Sequence, residues 1–183
     1  MRIFLNPGHS PNGNPDPGAV NSALDLRECD IAKTIADLVE GYLNAAGVQV
    51  VGNLQSDSLG EITDTANASG ADIFVSIHCN SFANPNAQGT EVCVFPGSAA
   101  GRELGGYIQR QIVDRFSKID PDFPDRGLKT ANFHVVRETD MPACLVEMAF
   151  ICNAEDAALL KHHADDFARA IAVGVTDYEQ AIS

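Results

Sequence analysis

The chain has 183 residues, 45% of them hydrophobic and 20% charged, enough for one good core and close to the size of a single domain. Twenty-five acidic against twelve basic side chains give a formal net charge of −13, which speaks against a nucleic-acid partner or an anionic lipid surface. The opening "MRIFLNPGHS" holds too short an apolar stretch for a secretory leader and no run of eighteen apolar residues follows, so the sequence predicts a soluble chain without a membrane span.

In chain order, "RIFL" (2–5) is a short apolar strand stopped by "NPGHSPNGNPDPG", whose Pro, Gly and Asn content makes it a loop. "DLRECDIAKTIADLVEGYLNAAG" then sets Ile31, Ile35, Leu38, Tyr42 and Ala46 on one helical face, with Gly47 as the residue just past the helix end. "VQVV" (48–51) predicts a second strand, "SLGEITDTANAS" a helix ending near Gly70, and "ADIFVSIH" a fully apolar third strand. Beyond the Pro/Asn/Gly loop at 80–89, "TEVCVF" reads as strand, "AAGRELGGYIQRQIVDRFS" as helix and "KIDPDFPDRG" as an irregular connection. "FHVVR" and "ACLVEMAF" are strand candidates around the turn "ETDMP", and the remainder from Ala154 is helical with one break near Lys161 to His163.

Alternating strands and helices predict an α/β fold: a single open, mostly parallel (mixed) twisted sheet with helices on both faces, in one domain spanning 1–183. The five cysteines, Cys29, Cys79, Cys93, Cys144 and Cys152, are odd in number and follow no zinc-finger spacing. Three of them lie in apolar runs, where Cys acts as a small hydrophobe, so no disulfide framework is expected.

In open α/β sheets the functional crevice lies beyond the carboxyl ends of the strands, and four polar residues interrupt the pattern there. His9 follows the first strand, His78 ends the third, and Glu147 sits among apolar residues in "ACLVEMAF". Glu28 stands near the first helix start, where "DLRE" also has the form of a capping box with Asp25 as N-cap. Each has a structural reading of its own: a cap for Glu28, a satisfied polar residue for each His, a buried ion pair with a residue such as Arg137 for Glu147. Together, two imidazoles and a carboxylate (His9, His78, Glu28) make a known Zn²⁺ set for catalytic sites, with Glu147 as the general base beside it. His134 in "FHVVR" has two readings, a contact to substrate or to the oxyanion and an ordinary strand histidine, of which the second is preferred; His162 and His163 are read as solvated. Alternation along the strand turns Cys79 away from the metal that His78 would bind.

"NPGHS", Glu28 at the helix start, "DIFVSIHCN", "GTEV" (89–92) and "MPACLVEMAFICN" occur in the order found in the zinc-dependent N-acetylmuramoyl-L-alanine amidases of the amidase-3 type, which this chain resembles over about residues 3–153. Ser10 and Cys29 depart from that pattern, which usually has a second glycine after the first histidine and a lysine or apolar residue after the glutamate. The resemblance implies a hydrolase that cuts the amide between N-acetylmuramic acid and L-alanine in peptidoglycan, as an autolysin or endolysin acting at the bacterial cell wall. It implies Zn²⁺ on His9, Glu28 and His78 and catalysis by Glu147. The competing expectations are a zinc peptidase of similar α/β architecture and a non-catalytic wall-binding module. No separate wall-binding domain is recognisable, the peptidoglycan strand with its stem peptide is the expected partner, and a monomer is expected. With no signal peptide in the chain, export by another route or a trimmed form is implied. The short loops at 80–89 and 118–127 leave no room for a helix that covers the metal.

Overall fold

The computed structural model describes residues 1–183. Strand β1 (Arg2–Pro7) opens the chain, and a two-stranded hairpin of β2 (Val20–Asn21) and β3 (Leu26–Arg27) leads into α1 (Glu28–Ala45). β4 (Gln49–Asn53), α2 (Leu59–Ala68), β5 (Ile73–Asn80), β6 (Thr90–Val94) and α3 (Ala99–Phe116) follow. The last part comprises β7 (Asp125–Thr130), α4 (His134–Arg137), β8 (Ala143–Phe150), α5 (Ala154–His162) and α6 (Ala164–Ile182).

Six strands form one sheet in the order β4-β1-β5-β8-β6-β7. Every neighbouring pair is parallel except β6 with β8, so the predicted mixed, mostly parallel sheet is present. From β1 the chain crosses to β4 on one side and returns to β5 on the other. The β1/β5 boundary is therefore the place where connections diverge and a crevice opens at the carboxyl ends.

The sheet is covered on both faces. Against one face α1, α3, α5 and α6 bury Ile35, Leu43, Leu104, Ile108, Leu160 and Phe167 on Ile3, Val75 and Val146. Against the other, α2 and α4 bury Ile62, Ala66, Val135 and Val136 on Phe4, Phe74, Cys93 and Leu145. Period-two alternation assigns strand residues to these faces. Ile73, Val75, Ile77 and Cys79 belong to the larger cluster; Phe74, Ser76 and His78 point the other way. On β8, Cys144, Val146 and Met148 face the larger cluster, so Glu147 shares the α2/α4 face with Leu145. Cys79 is thus turned away from His78, as alternation predicts, and all five cysteines are free thiols.

The helix ends follow the sequence closely. α1 closes with the Gly47 N–H on the Asn44 carbonyl (3.2 Å) and the Val48 N–H on the Leu43 carbonyl (3.0 Å), the paired bonds of a left-handed glycine stop; Gly47 has φ +86°. Ser58 and Ser98 cap α2 and α3 through their hydroxyls, and the break between the last two helices falls at His163.

Several expectations require correction. "FHVVR" is a one-turn helix because Val135 and Val136, adjacent in sequence, are both buried in the smaller cluster, which the alternating faces of a strand would not allow. "DRGLKT" is a strand whose first three residues lie in the segment read as irregular; as the sheet edge it pairs only with β6 and needs almost no apolar face. The buried stripe of α1 is Ile31, Ala32, Ile35, Ala36, Val39 and Leu43; Ile31 and Ile35 are buried as predicted, while Leu38 and Tyr42 are half-buried beside the core and Ala46 is exposed. Asp25 does not cap α1: it lies in the β2–β3 turn at φ +55°, and the N-cap is Arg27. His163 pairs with Asp166 (2.8 Å) rather than standing free in solvent. No helix is long and apolar enough to cross a membrane.

One buried carboxylate ties the β5–β6 loop to the end of β8. Asp156 Oδ2 accepts the Gly89 N–H (2.8 Å) and the Phe150 N–H (2.7 Å), and Asn153 caps α5 while its amide donates to the Pro85 carbonyl (2.8 Å). Asp156→Ala should therefore lower the unfolding free energy in urea by about 2–4 kcal/mol, since it orphans two buried N–H groups; Asn153→Ala should lower it by about 1–2 kcal/mol through the lost cap. A loss below about 1 kcal/mol for Asp156→Ala would show that water replaces the carboxylate.

Candidate metal centre

Glu28 is the first residue of α1 and only 4% exposed. Its Oε1 accepts from His78 Nδ1 (2.9 Å) and from the Cys79 N–H (3.0 Å). Its Oε2 contacts His9 Nε2 (3.0 Å) and accepts the Ala19 N–H (2.9 Å). One carboxylate thus joins the β1 loop, the hairpin and β5. His9, Glu28 and His78 each offer a ligand atom, and these atoms lie within 4.8 Å of one another. The three residues proposed from sequence are brought together.

The backbone around them is shaped to their rings. His9 has φ +66°, a left-handed conformation that His tolerates better than bulky residues and that turns the chain back after β1. A Cβ on Gly8 would lie 2.3 Å from His78 Cε1, and one on Gly18 would lie 2.5 Å from His9 Cδ2 and 2.6 Å from Glu28 Oε2. Neither position has room for a side chain. Gln55 Nε2 donates to both the Gly8 and Cys29 carbonyls (2.9 Å each), joining the β1 loop to α1.

Asp16 completes the support of His9: its Oδ2 meets His9 Nδ1 at 2.8 Å, while its Oδ1 accepts the Gly18 N–H at 2.9 Å. A carboxylate behind an imidazole fixes ring orientation and raises ligand basicity. Ser10, where the resembling family has glycine, is fully buried, and its hydroxyl accepts the Asp16 N–H (3.1 Å). The departure thus reinforces the loop that holds Asp16.

The hydrogen bond to Glu28, reinforced by Asp16 against the effect of burial, raises the His9 pKa to about 9. Burial works to raise Glu28, but its bonds with His78 and His9 outweigh this and hold it well below the ordinary carboxylate range. Both shifts favour a protonated His9 beside an ionised Glu28 across the 3.0 Å contact.

Glu147 faces the same cleft from β8, paired in register with His78 on β5 and Glu91 on β6. Burial pushes its carboxyl up to about 7, partly opposed by His78. Its Oε2 is buried without a hydrogen-bond partner. The expected ion pair with Arg137 is absent: Arg137 bonds Glu138 and Asn132 instead. Glu91 is neutralised by Arg126 (2.7 Å) and by the Asn80 amide (2.9 Å), so Glu147 is the uncommitted carboxylate of the row.

These groups line an open cleft of about 520 Å³, with Leu59 and Phe133 on its rim and His134 in its wall. No helix occupies the β5–β6 loop above it. The sequence reading missed Asp16, Gly8, Gly18 and Gln55, and placed His134 in a strand. Asp16 and the glycines lie in Pro/Gly/Asn-rich text that looks like any turn; their roles depend on contacts with residues far along the chain.

The sequence profile of Amidase_3, N-acetylmuramoyl-L-alanine amidase, matches residues 3–177. The chain is 37% identical to the N-acetylmuramoyl-L-alanine amidase CwlM of Bacillus licheniformis over 95% of its own length and 65% of that protein. It is 36% identical to LytC of Bacillus subtilis (strain 168) over 96% of its length and 35% of that protein. The chain thus spans less than two thirds of these relatives. The structure of the N-acetylmuramoyl-L-alanine amidase AmiC2 of Nostoc punctiforme superposes with a TM-score of 0.86 at 31% identity, covering 98% of this chain and 97% of that one. With the profile spanning nearly the whole sheet and both histidines, the chain belongs to the Amidase_3 family of N-acetylmuramoyl-L-alanine amidases.

Proposed function

We propose that the chain is a zinc-dependent amidase that hydrolyses the bond between the lactyl group of N-acetylmuramic acid and L-alanine in peptidoglycan, and that it acts at the cell wall. The observation that carries this reading is Glu147: a half-buried carboxylate whose Oε2 is buried without a partner, lining the cleft that holds two imidazoles and an acid within reach of one ion. Family membership supplies the bond. Residues 1–183 are read as one catalytic unit, since both apolar clusters pack on the same sheet.

The donor set suits zinc, which takes imidazole and carboxylate ligands and in catalytic sites leaves a position open. His9, Glu28 and His78 would hold it, with Asp16 orienting His9. Bound there, zinc would supply Lewis acidity and make water a nucleophile at neutral pH. Glu147 takes the proton from the attacking water and delivers it to the departing alanine nitrogen. A carboxyl pushed to about 7 is well matched to both halves of that exchange, because a base that must later act as an acid works best near the ambient pH.

Glu147→Gln should reduce turnover of purified peptidoglycan by ~10²–10⁴-fold while zinc content stays at the wild-type level. His78→Ala should lose both. Loss of zinc from the Gln variant would count against the assignment of Glu147 as base. In the wild type, activity should rise with pH through about 7 as Glu147 ionises; a flat profile between pH 5 and 8 would exclude it.

The metal-free protein should show the opposite trend in stability. His9 is raised to about 9 in the fold, so its stabilising pair with Glu28 is complete below the unfolded value near ~6.5 and is lost as pH climbs through 9. Glu28 is depressed in the fold, so its contribution is complete above ~4.5 and disappears as pH falls. The melting temperature of the chelated protein should therefore decline from pH 6.5 to 9, and saturating zinc should flatten the decline by replacing the proton. A chelated protein equally stable at pH 6.5 and 9 would show that His9 and Glu28 do not form this charged pair.

A further inference from the structure

We propose that His134 is a second catalytic residue, whose Nε2–H donates to the carbonyl oxygen of the scissile amide and stabilises the negative charge that develops there. This rests on the amidase reading above. In the whole chain four buried side-chain nitrogen or oxygen atoms have no hydrogen-bond partner: Asn53 Oδ1, Gln109 Oε1, His134 Nε2 and Glu147 Oε2. The first two belong to amides whose nitrogens are bonded elsewhere. The other two line the same cleft. A buried polar atom left unmet is costly, and a substrate that satisfies both recovers that cost on binding.

The two atoms are complementary. Glu147 handles the proton of the water and of the leaving amine. What the carbonyl oxygen requires is a donor, and the cleft has few. Its carboxylates, Asp16, Glu28, Asp57 and Glu147, are acceptors when ionised. The Asn6 amide is committed to the Pro7 and Leu54 carbonyls and the Asn80 amide to Glu91, while His9 and His78 belong to the metal set. The Ser56 hydroxyl is bonded to Glu61 and the Ser81 hydroxyl is exposed, so His134 Nε2 is the one buried side-chain nitrogen of the cleft without a partner. Its position is fixed: Val135 and Val136 anchor the one-turn α4 in the smaller cluster, and the His134 carbonyl accepts the Glu138 N–H at 2.9 Å.

The step balances without a further reactant. Oxygen of water bonds to the carbonyl carbon as its proton passes to Glu147. The carbon–nitrogen bond then breaks, and that proton goes to the alanine nitrogen. His134 keeps its own proton throughout, so its contribution is a hydrogen bond that tightens as charge builds.

The test uses the zinc-loaded full chain and a soluble N-acetylmuramoyl-L-alanyl peptide. His134→Phe, which keeps ring volume and removes the donor, should lower kcat by ~10–100-fold with KM changed less than about threefold, at wild-type zinc content and melting temperature. His134→Gln, whose amide N–H can replace the donor, should recover most of the loss. Independently of turnover, the His134 Nε2 resonance in ¹⁵N-labelled Glu147→Gln protein should shift when the peptide saturates it. A His134→Phe enzyme within about twofold of wild type, or an unmoved imidazole resonance, overturns the proposal. Should His134→Phe fail to fold, the Gln variant and the resonance decide. A wild type that leaves the peptide intact while the resonance moves overturns the amidase reading, and the catalytic role with it, but leaves His134 as a ligand contact. A wild type that cleaves while the resonance stays still overturns His134 alone.

Discussion

The carboxylate of Glu28 is the junction on which the centre depends. Removing a carboxylate from water is costly unless it is fully hydrogen-bonded, and Glu28 meets that requirement with two backbone N–H groups and two imidazoles drawn from three separate segments. Its place at the first turn of α1 adds a favourable field, since the N-terminal end of a helix favours negative charge. The burial that makes the group expensive to leave unpaired is what fixes His9 and His78 at one point. Fold and metal centre share the same bonds here.

The strand order then determines who joins them. Because β8 lies beside β5 in register, Glu147 stands next to His78; because β6 runs antiparallel to β8, Glu91 comes opposite Glu147. Three titratable groups in a row across a sheet would interfere if all were free. Arg126 and Asn80 take Glu91 out of play, with Arg126 also resting on the Phe150 ring at 4.8 Å. Glu28 is held ionised by its imidazoles. That leaves one carboxyl whose proton is easily exchanged, and it is the one beside the donor set.

Much of this was legible in the sequence where a residue contradicts its surroundings. A histidine at the end of an apolar strand and a glutamate in the middle of another cannot be explained by packing, and both belong to the cleft. Glu28 was harder, because "DLRE" satisfies the capping rule equally well; only the β2–β3 hairpin, too short to have a periodic signature, shows that Asp25 turns away. β7 was missed because an edge strand of Asp, Arg, Gly and Lys has no apolar face to display, and α4 because two adjacent valines look like strand until tertiary contacts bury both. Asp16 and Gly18 lie in a segment whose composition says only "turn". Their function is set by what lies across the gap, the ring of His9 and the carboxylate of Glu28, and no local pattern carries that information.

The first and last elements meet at the end of the molecule away from the cleft. The Met1 ammonium pairs with Glu179 Oε1 at 2.6 Å, just before β1, whose six residues then run roughly 20 Å to the carboxyl edge where His9 stands. Both ends of the chain therefore leave from the rear of the sheet. A tether or a neighbouring module joined at either end would hang behind the edge that carries the cleft, and the mouth of the cleft would stay clear of its own attachment.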